Sequence, residues 1–333
     1  MGARGLSDRT RAVLAAATVC DMTLPWGNWD ENKDTILDRY VAQGFGFVSL
    51  SVGLDRMGFE ETVRRVARER ARIRAMAPRA ELVETVADIR RLRAAGKLAL
   101  GFHFQGSNPL GGAVDMVEFY YKLGTRHMLL AYNQKNQAAD GCSERTDAGL
   151  SRYGLALIKE MNRIGMILDC THTGYRSSME AIEASTAPVL FSHSNAHALL
   201  AHDRNIRDDQ IRACADTGGV IGITGVGHFL TADMHATPEA FVRHIIHVAE
   251  LVGPRHVGLG IDHVYYLGHK AVQRAASPDM YPTGYPTGEA GSYLGPEALP
   301  MIVEGLVRHG FDDAEIHGIL GENFLRVAAQ VWK

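Results

Sequence analysis

Met166–His193 reads MILDCTHTGYRSSMEAIEASTAPVLFSH. Two apolar runs, Met166–Cys170 and Val189–Phe191, each reach a polar residue and then a histidine, His172 and His193, with a helix-forming segment between them. This is the pattern of a β-α-β unit, and in a parallel sheet the carboxyl ends of its two strands lie side by side on one face. Two imidazoles placed there converge on one point. They suit a transition-metal ion, because neutral imidazole is a borderline-soft ligand and a strand end holds it rigidly. On this stretch alone, two hydrogen-bonded barrel or loop histidines are an equally good account.

Outward from this unit the alternation continues. Strand-like runs fall at Ala15–Cys20, Phe45–Ser51, Leu98–Phe104, His127–Ala131, Met166–Cys170, Val189–Phe191, Gly219–Ile223 and His256–Gly260. Helical patterns lie between them at Asp34–Ala42, Phe59–Met76, Ala113–Leu123, Leu150–Arg163, Ser177–Ser185, Asp208–Asp216 and Pro238–Val252, with an extra stretch at Val86–Arg93. Gly165 stands as a stop between one such helix and the next strand. Eight alternations predict a single (β/α)8 TIM barrel over residues 1–333, although a doubly wound open sheet shares the local pattern. The polar residues favour the barrel. Asp21, Gln105, Tyr132, His172, His193 and Asp262 each follow a predicted strand end within a residue or two, where barrel enzymes place their chemistry.

Composition bounds the partners. With 46% hydrophobic and 22% charged residues the chain can bury one large core, and a net charge of -3 without a basic run argues against nucleic acid. The arginines of Arg64–Arg74 fall in a helical pattern and read as a solvated face. Four cysteines without a CxxC pair predict a reduced, cytoplasmic chain. The apolar run near the amino terminus is too short to span a membrane, so no membrane partner is expected. Nothing in the sequence fixes whether the chain forms a homo-oligomer.

Five blocks then carry a family resemblance: DGCSERTDAGLSRYGLALIKEMNRIGMILDCTHTG, PVLFSHSNAHAL, HDRNIRDDQI, HVGLGIDH and the closing GENFLRV. From about Leu82 to Val327 the chain resembles the renal (membrane) dipeptidase family of the amidohydrolase superfamily. The resemblance implies a metal-dependent (β/α)8 barrel with a two-zinc site that hydrolyses dipeptides. Carried over position by position, it implies that His172 and His193 ligate one zinc. Asp262 would touch the other zinc and handle the proton of the attacking water, while Arg204 would grip the substrate carboxylate. Tyr132 stands where the family has a histidine that contacts the reacting carbonyl, and Asn133 beside it is expected on the substrate.

The departures are as informative. The family's His-x-Asp pair after strand one meets CDMTLPW here; either register puts Asp21 or Thr23 at the histidine and neither restores the pair. The bridging glutamate falls on a neutral amide, Gln105. Two Zn²⁺ would face at most two carboxylates, Asp21 and Asp262, and burying such unneutralised charge is costly. One ion, or none, is therefore expected, with Asp21 and Gln105 as weaker candidate ligands and His103 as a core residue. Ser277–Pro296, with its tandem YPTG YPTG, reads as a long loop after the last strand that walls the pocket with Tyr281, Tyr285 or Tyr293. His228, His235, His244 and His247 read as ordinary surface or core histidines. The expected function is hydrolysis of a dipeptide or similar small carboxylate-bearing amide; the rival is a diverged barrel that binds a small ligand or runs a non-hydrolytic reaction.

Overall fold

The computed structural model describes residues 5–27, 33–265, 274, 276–281, 285–286 and 291–333. Nine strands form one parallel sheet: β1 (Val19–Pro25), β2 (Phe45–Leu54), β3 (Ala80–Leu82), β4 (Leu98–Gln105), β5 (Thr125–Leu129), β6 (Ile167–Asp169), β7 (Leu190–Phe191), β8 (Val220–Ile223) and β9 (Val257–Leu259). The order is β1-β2-β4-β5-β6-β7-β8-β9, with β3 a short extra strand on β4. Eight strands thus curl into a nearly closed barrel, the expected architecture. Helices pack outside it, including Lys33–Ala42, Phe59–Ala75, Arg152–Ile164, Tyr175–Ala184, Asp208–Asp216 and Pro238–Val252. Gly165 ends the third of these at φ 93°, a left-handed cap that glycine adopts without a Cβ penalty. Among the described residues no helix is long and apolar enough to cross a membrane.

The first strand departs from expectation. The apolar run before Cys20 is shared between a helix, Asp8–Ala16, and β1, because Ser7 accepts a hydrogen bond from the Thr10 amide and fixes a helix start. Asp21 therefore lies inside β1 and not after its end. β2 likewise runs three residues further than predicted, which brings Asp55 to its carboxyl end. Residues 282–284 and 287–290 of the predicted loop, most of the tandem repeat, lie outside the described residues.

Barrel closure explains where Asp21 goes. Between β9 and β1 the Asp262 amide donates to the Thr23 carbonyl at 3.1 Å, and the Ile261 amide donates to Asp21 Oδ1 at 2.9 Å. The same oxygen accepts from the Thr23 amide at 3.1 Å, and Oδ2 accepts from the Tyr40 hydroxyl at 3.0 Å. Asp21 is fully buried and clasps the two ends of the barrel together. Asn323, in the GENFLRV block, secures the start of β9, its amide donating to the carbonyls of Pro254 and Val257 at 2.8 Å each.

Burial pushes the Asp21 carboxyl up to about 7, against the pull of its three donors. A carboxyl whose folded pKa stands above its unfolded value, near 4, contributes fully below that value and loses its contribution as pH rises toward 7. Wild-type stability should fall across that window by up to about 4 kcal/mol, at about 1.4 kcal/mol per unit. Asp21→Asn keeps the shape and should flatten the slope, read as the urea midpoint at pH 4, 6 and 8.

Candidate active site

Three of the four non-glycine residues with left-handed backbone in the described chain stand at the carboxyl end of the barrel: Asn133 (φ 52°), His172 (φ 63°) and Asp262 (φ 55°). Such conformations cost of order 1–3 kcal/mol each, persist only where the surroundings enforce them, and cluster at functional sites. Here they follow β5, β6 and β9 and turn three polar side chains toward one region.

The hydrogen bonds fix the state of the first histidine. Asn133 donates its Nδ2 to the Met280 carbonyl at 2.8 Å and to the Tyr285 hydroxyl at 3.0 Å, so its Oδ1 is the atom that meets His172 Nδ1 at 2.5 Å. An amide oxygen only accepts, so Nδ1 carries a proton, and in the neutral ring Nε2 presents a lone pair. His193 is fully buried, with Nδ1 on the hydroxyls of Ser192 at 2.8 Å and Thr23 at 3.1 Å. Burial, reinforced by the charge of Arg204, holds this imidazole well below its usual range and therefore neutral. The two Nε2 atoms face each other at 3.2 Å. That spacing fits one shared proton, and it equally fits one ion, since two nitrogens bound tetrahedrally at ~2.0–2.1 Å lie about 3.3 Å apart.

One buried carboxylate holds both histidine turns. Asp169 Oδ1 accepts from the Thr171 amide at 3.0 Å and from the Ser192 amide at 3.1 Å, the residues immediately before His172 and His193. Its Oδ2 meets His127 Nδ1 at 3.1 Å, and Ser49 Oγ links His127 Nε2 to His103 Nδ1 at 3.0 Å each. Burial would raise the Asp169 carboxyl, but hydrogen bonding and charge from His127 leave it well below the usual carboxylate range. His103 is thus a core residue, as expected. The sequence reading missed Asp169, which sits in an otherwise apolar strand run; an acid one residue before the end of such a run is the signal that would have found it.

An aromatic-walled cavity opens over His172. Trp26, Gln105, Tyr132, Asp262 and Arg274 line it together with His172, Phe229 and the loop residues Tyr281, Tyr285 and Tyr293. The loop after β9 does wall the pocket through its described tyrosines. Tyr132 stacks on His172 with ring centroids 3.9 Å apart, and burial followed by the neighbouring tyrosines keeps its phenol protonated. Asp55, also missed, accepts from the Tyr132 amide at 3.1 Å and from Asn136 Nδ2, and so fixes the turn that carries Tyr132. His228 lines the cavity too, whereas His244 and His247 are satisfied elsewhere, on the Ala196 amide and Leu230 carbonyl and on Asp208.

Arg204 lies on the other side of His172, lining a polar cavity with Cys142 and His202. Its Nη2 donates to the His193 carbonyl at 2.7 Å and its Nη1 to Ser194 Oγ at 3.4 Å, leaving Nε without a partner. Asn133 has both ends of its amide committed to His172, Met280 and Tyr285, which makes it an orienting group for the histidine. Among the described residues no group of three or more His, Cys, Asp or Glu converges as a metal cage. A second ion of the kind the resemblance implies does not fit: Asp21 is closed off by its three donors, and Gln105 offers a neutral amide.

Residues 31–275 match the family model described as membrane dipeptidase (peptidase family M19). An uncharacterized dipeptidase of Schizosaccharomyces pombe, C965.12, is 33% identical over 244 residues, covering 72% of this chain and 53% of that one. Dipeptidase tcpJ of Claviceps purpurea is 30% identical over 256 residues, covering 76% and 56%. The chain thus spans about half the length of these curated relatives. A solved amidohydrolase from Pseudomonas aeruginosa superposes with TM-score 0.87 at 28% identity, covering 97% of this chain and 99% of that one. By sequence match and barrel alike, this chain belongs to the membrane dipeptidase family, peptidase family M19, a family of dipeptidase-like hydrolases.

Proposed function

We propose that this protein hydrolyses a dipeptide or similar small carboxylate-bearing amide with the help of one divalent ion, zinc by ligand chemistry, held by His172 and His193. The observation that carries this reading is the 3.2 Å approach of the two Nε2 atoms, with the proton of His172 fixed on the far nitrogen. An amide oxygen and hydroxyls holding the outer nitrogens of an imidazole pair are the kind of second shell that metal-ligating histidines use.

When bound, such an ion supplies Lewis acidity toward the scissile carbonyl and lowers the pKa of a water molecule toward neutrality. The protein's own groups do the rest. Asp262, held at φ 55° on the cavity wall, takes the proton of the attacking water and returns it to the leaving amine. Tyr132, protonated and stacked on His172, donates to the developing oxyanion. Arg204, which lines the polar cavity beside His172 and has its Nε unpartnered, pairs with a substrate carboxylate. The test is turnover of a dipeptide panel by the purified protein: hydrolysis is expected, lost on chelation and restored by Zn²⁺. Turnover that survives exhaustive chelation would remove the ion from the account, and no turnover with zinc bound would favour the non-hydrolytic rival.

A further inference from the structure

Arg204 accounts for one substrate carboxylate, but it is not the lone buried cation at this site. Arg274, 8% exposed, lines the aromatic cavity beside Tyr285. Its guanidinium donates to the Tyr293 hydroxyl at 2.7 Å and reaches the Pro286 carbonyl at 3.5 Å, with its Cζ 6.0 Å from the Tyr285 ring. Its Nε has no hydrogen-bond partner. Among the described residues neither Arg204 nor Arg274 has a carboxylate within 4.0 Å.

Among the described residues the nearby carboxylates do not answer this charge. Asp55 is occupied by the amides of Asn108 and Tyr132 and by Asn136, and Asp262, on the same cavity wall, stands more than 4.0 Å from the Arg274 guanidinium. A guanidinium in an aromatic cavity without a counter-charge is costly to bury and gains most from an anion that enters with the ligand. Two such cations stand at separate cavities that share His172 as a common wall.

We propose that the substrate is an amide flanked by two acidic groups: Arg204 takes one carboxylate, Arg274 takes the other from the acyl side, and the scissile bond lies between them at the histidine pair. The planar fork of Arg274, steadied by the Tyr293 hydroxyl, suits bidentate pairing with a carboxylate. The aromatic walls strengthen that pairing by excluding water. The proposal rests on the hydrolase reading for the bond that is broken, and not for the binding.

The test is isothermal titration of chelator-treated protein with N-succinylglycine, which carries a carboxylate at each end of an amide, and with N-butyrylglycine, which carries one. Wild type is expected to prefer the dianion by about tenfold or more, the scale of a desolvated charge pair. Arg274→Gln should bring the ratio close to one while N-butyrylglycine binding stays put, and Arg274→Lys, which keeps charge without the fork, should fall between. Arg204→Gln should weaken both ligands. No preference in wild type, or a preference that survives in Arg274→Gln with its melting temperature unchanged, would overturn the assignment. Because metal is absent from this titration, failure of hydrolysis leaves the binding result intact, and failure of the binding result leaves hydrolysis of simple dipeptides untouched.

Discussion

His193→Ala is expected to leave a folded barrel that binds no divalent ion and turns over dipeptides at background, a loss of about 10³-fold or more in kcat/KM. The scale follows from removing a Lewis acid that supplies several kcal/mol. No substitute ligand is at hand, since among the described residues no third His, Cys, Asp or Glu converges on the pair. The fold should survive because Asp169 still holds the Thr171 and Ser192 amides, and the hydroxyls of Ser192 and Thr23 lose only an imidazole nitrogen. Circular dichroism and metal analysis of the same sample separate the two effects. A variant that keeps both its ion and its rate would place the chemistry elsewhere.

Asp262→Asn should lower kcat by about 10²–10⁴-fold with the bound ion retained, the range for loss of a positioned proton carrier. The substitution is a clean one for a structural reason. Asp262 stands at φ 55°, and asparagine accepts left-handed backbone at least as readily as aspartate, so shape is kept and only the ability to carry a proton is removed. The pH profile is the second readout, since its acid limb should disappear with the carboxylate. An Asn variant with unchanged kcat would exclude Asp262 as the base.

The parts of this account that the sequence revealed are those governed by local pattern. The strand and helix alternation, the histidines at the ends of β6 and β7, and the tyrosine-rich loop after β9 are each visible as a periodicity or a composition change. Side-chain direction was less accessible. Asp21 looked like a site residue because it followed an apolar run. Its role as the barrel clasp depends on β1 starting at Val19 and on β9 arriving beside it, and a one-residue change of register reverses which face a strand residue meets. Arg274 lies in a stretch with no motif, and only the folded loop brings it against Tyr285 and Tyr293.

Asp169 and Asp55 were hidden for a related reason. Each holds backbone amides that the sequence does not mark, Thr171 and Ser192 for one and Asn108 and Tyr132 for the other. A sequence displays the acid but not the amides that converge on it. Gln105 and Tyr132 are the opposite case. Their positions were legible, and the structure places both on the cavity wall, so the neutral amide at Gln105 counts against a second ion by residue type, beside the enclosure of Asp21.

The metal content of the purified wild-type protein, measured by elemental analysis against protein concentration after removal of loosely held ions, is the most direct test of a single-ion site. The account predicts one divalent ion per chain. Two tightly bound ions per chain would contradict it, because the second would require ligands from Asp21, which is enclosed by Thr23, Ile261 and Tyr40, or from the neutral amide of Gln105.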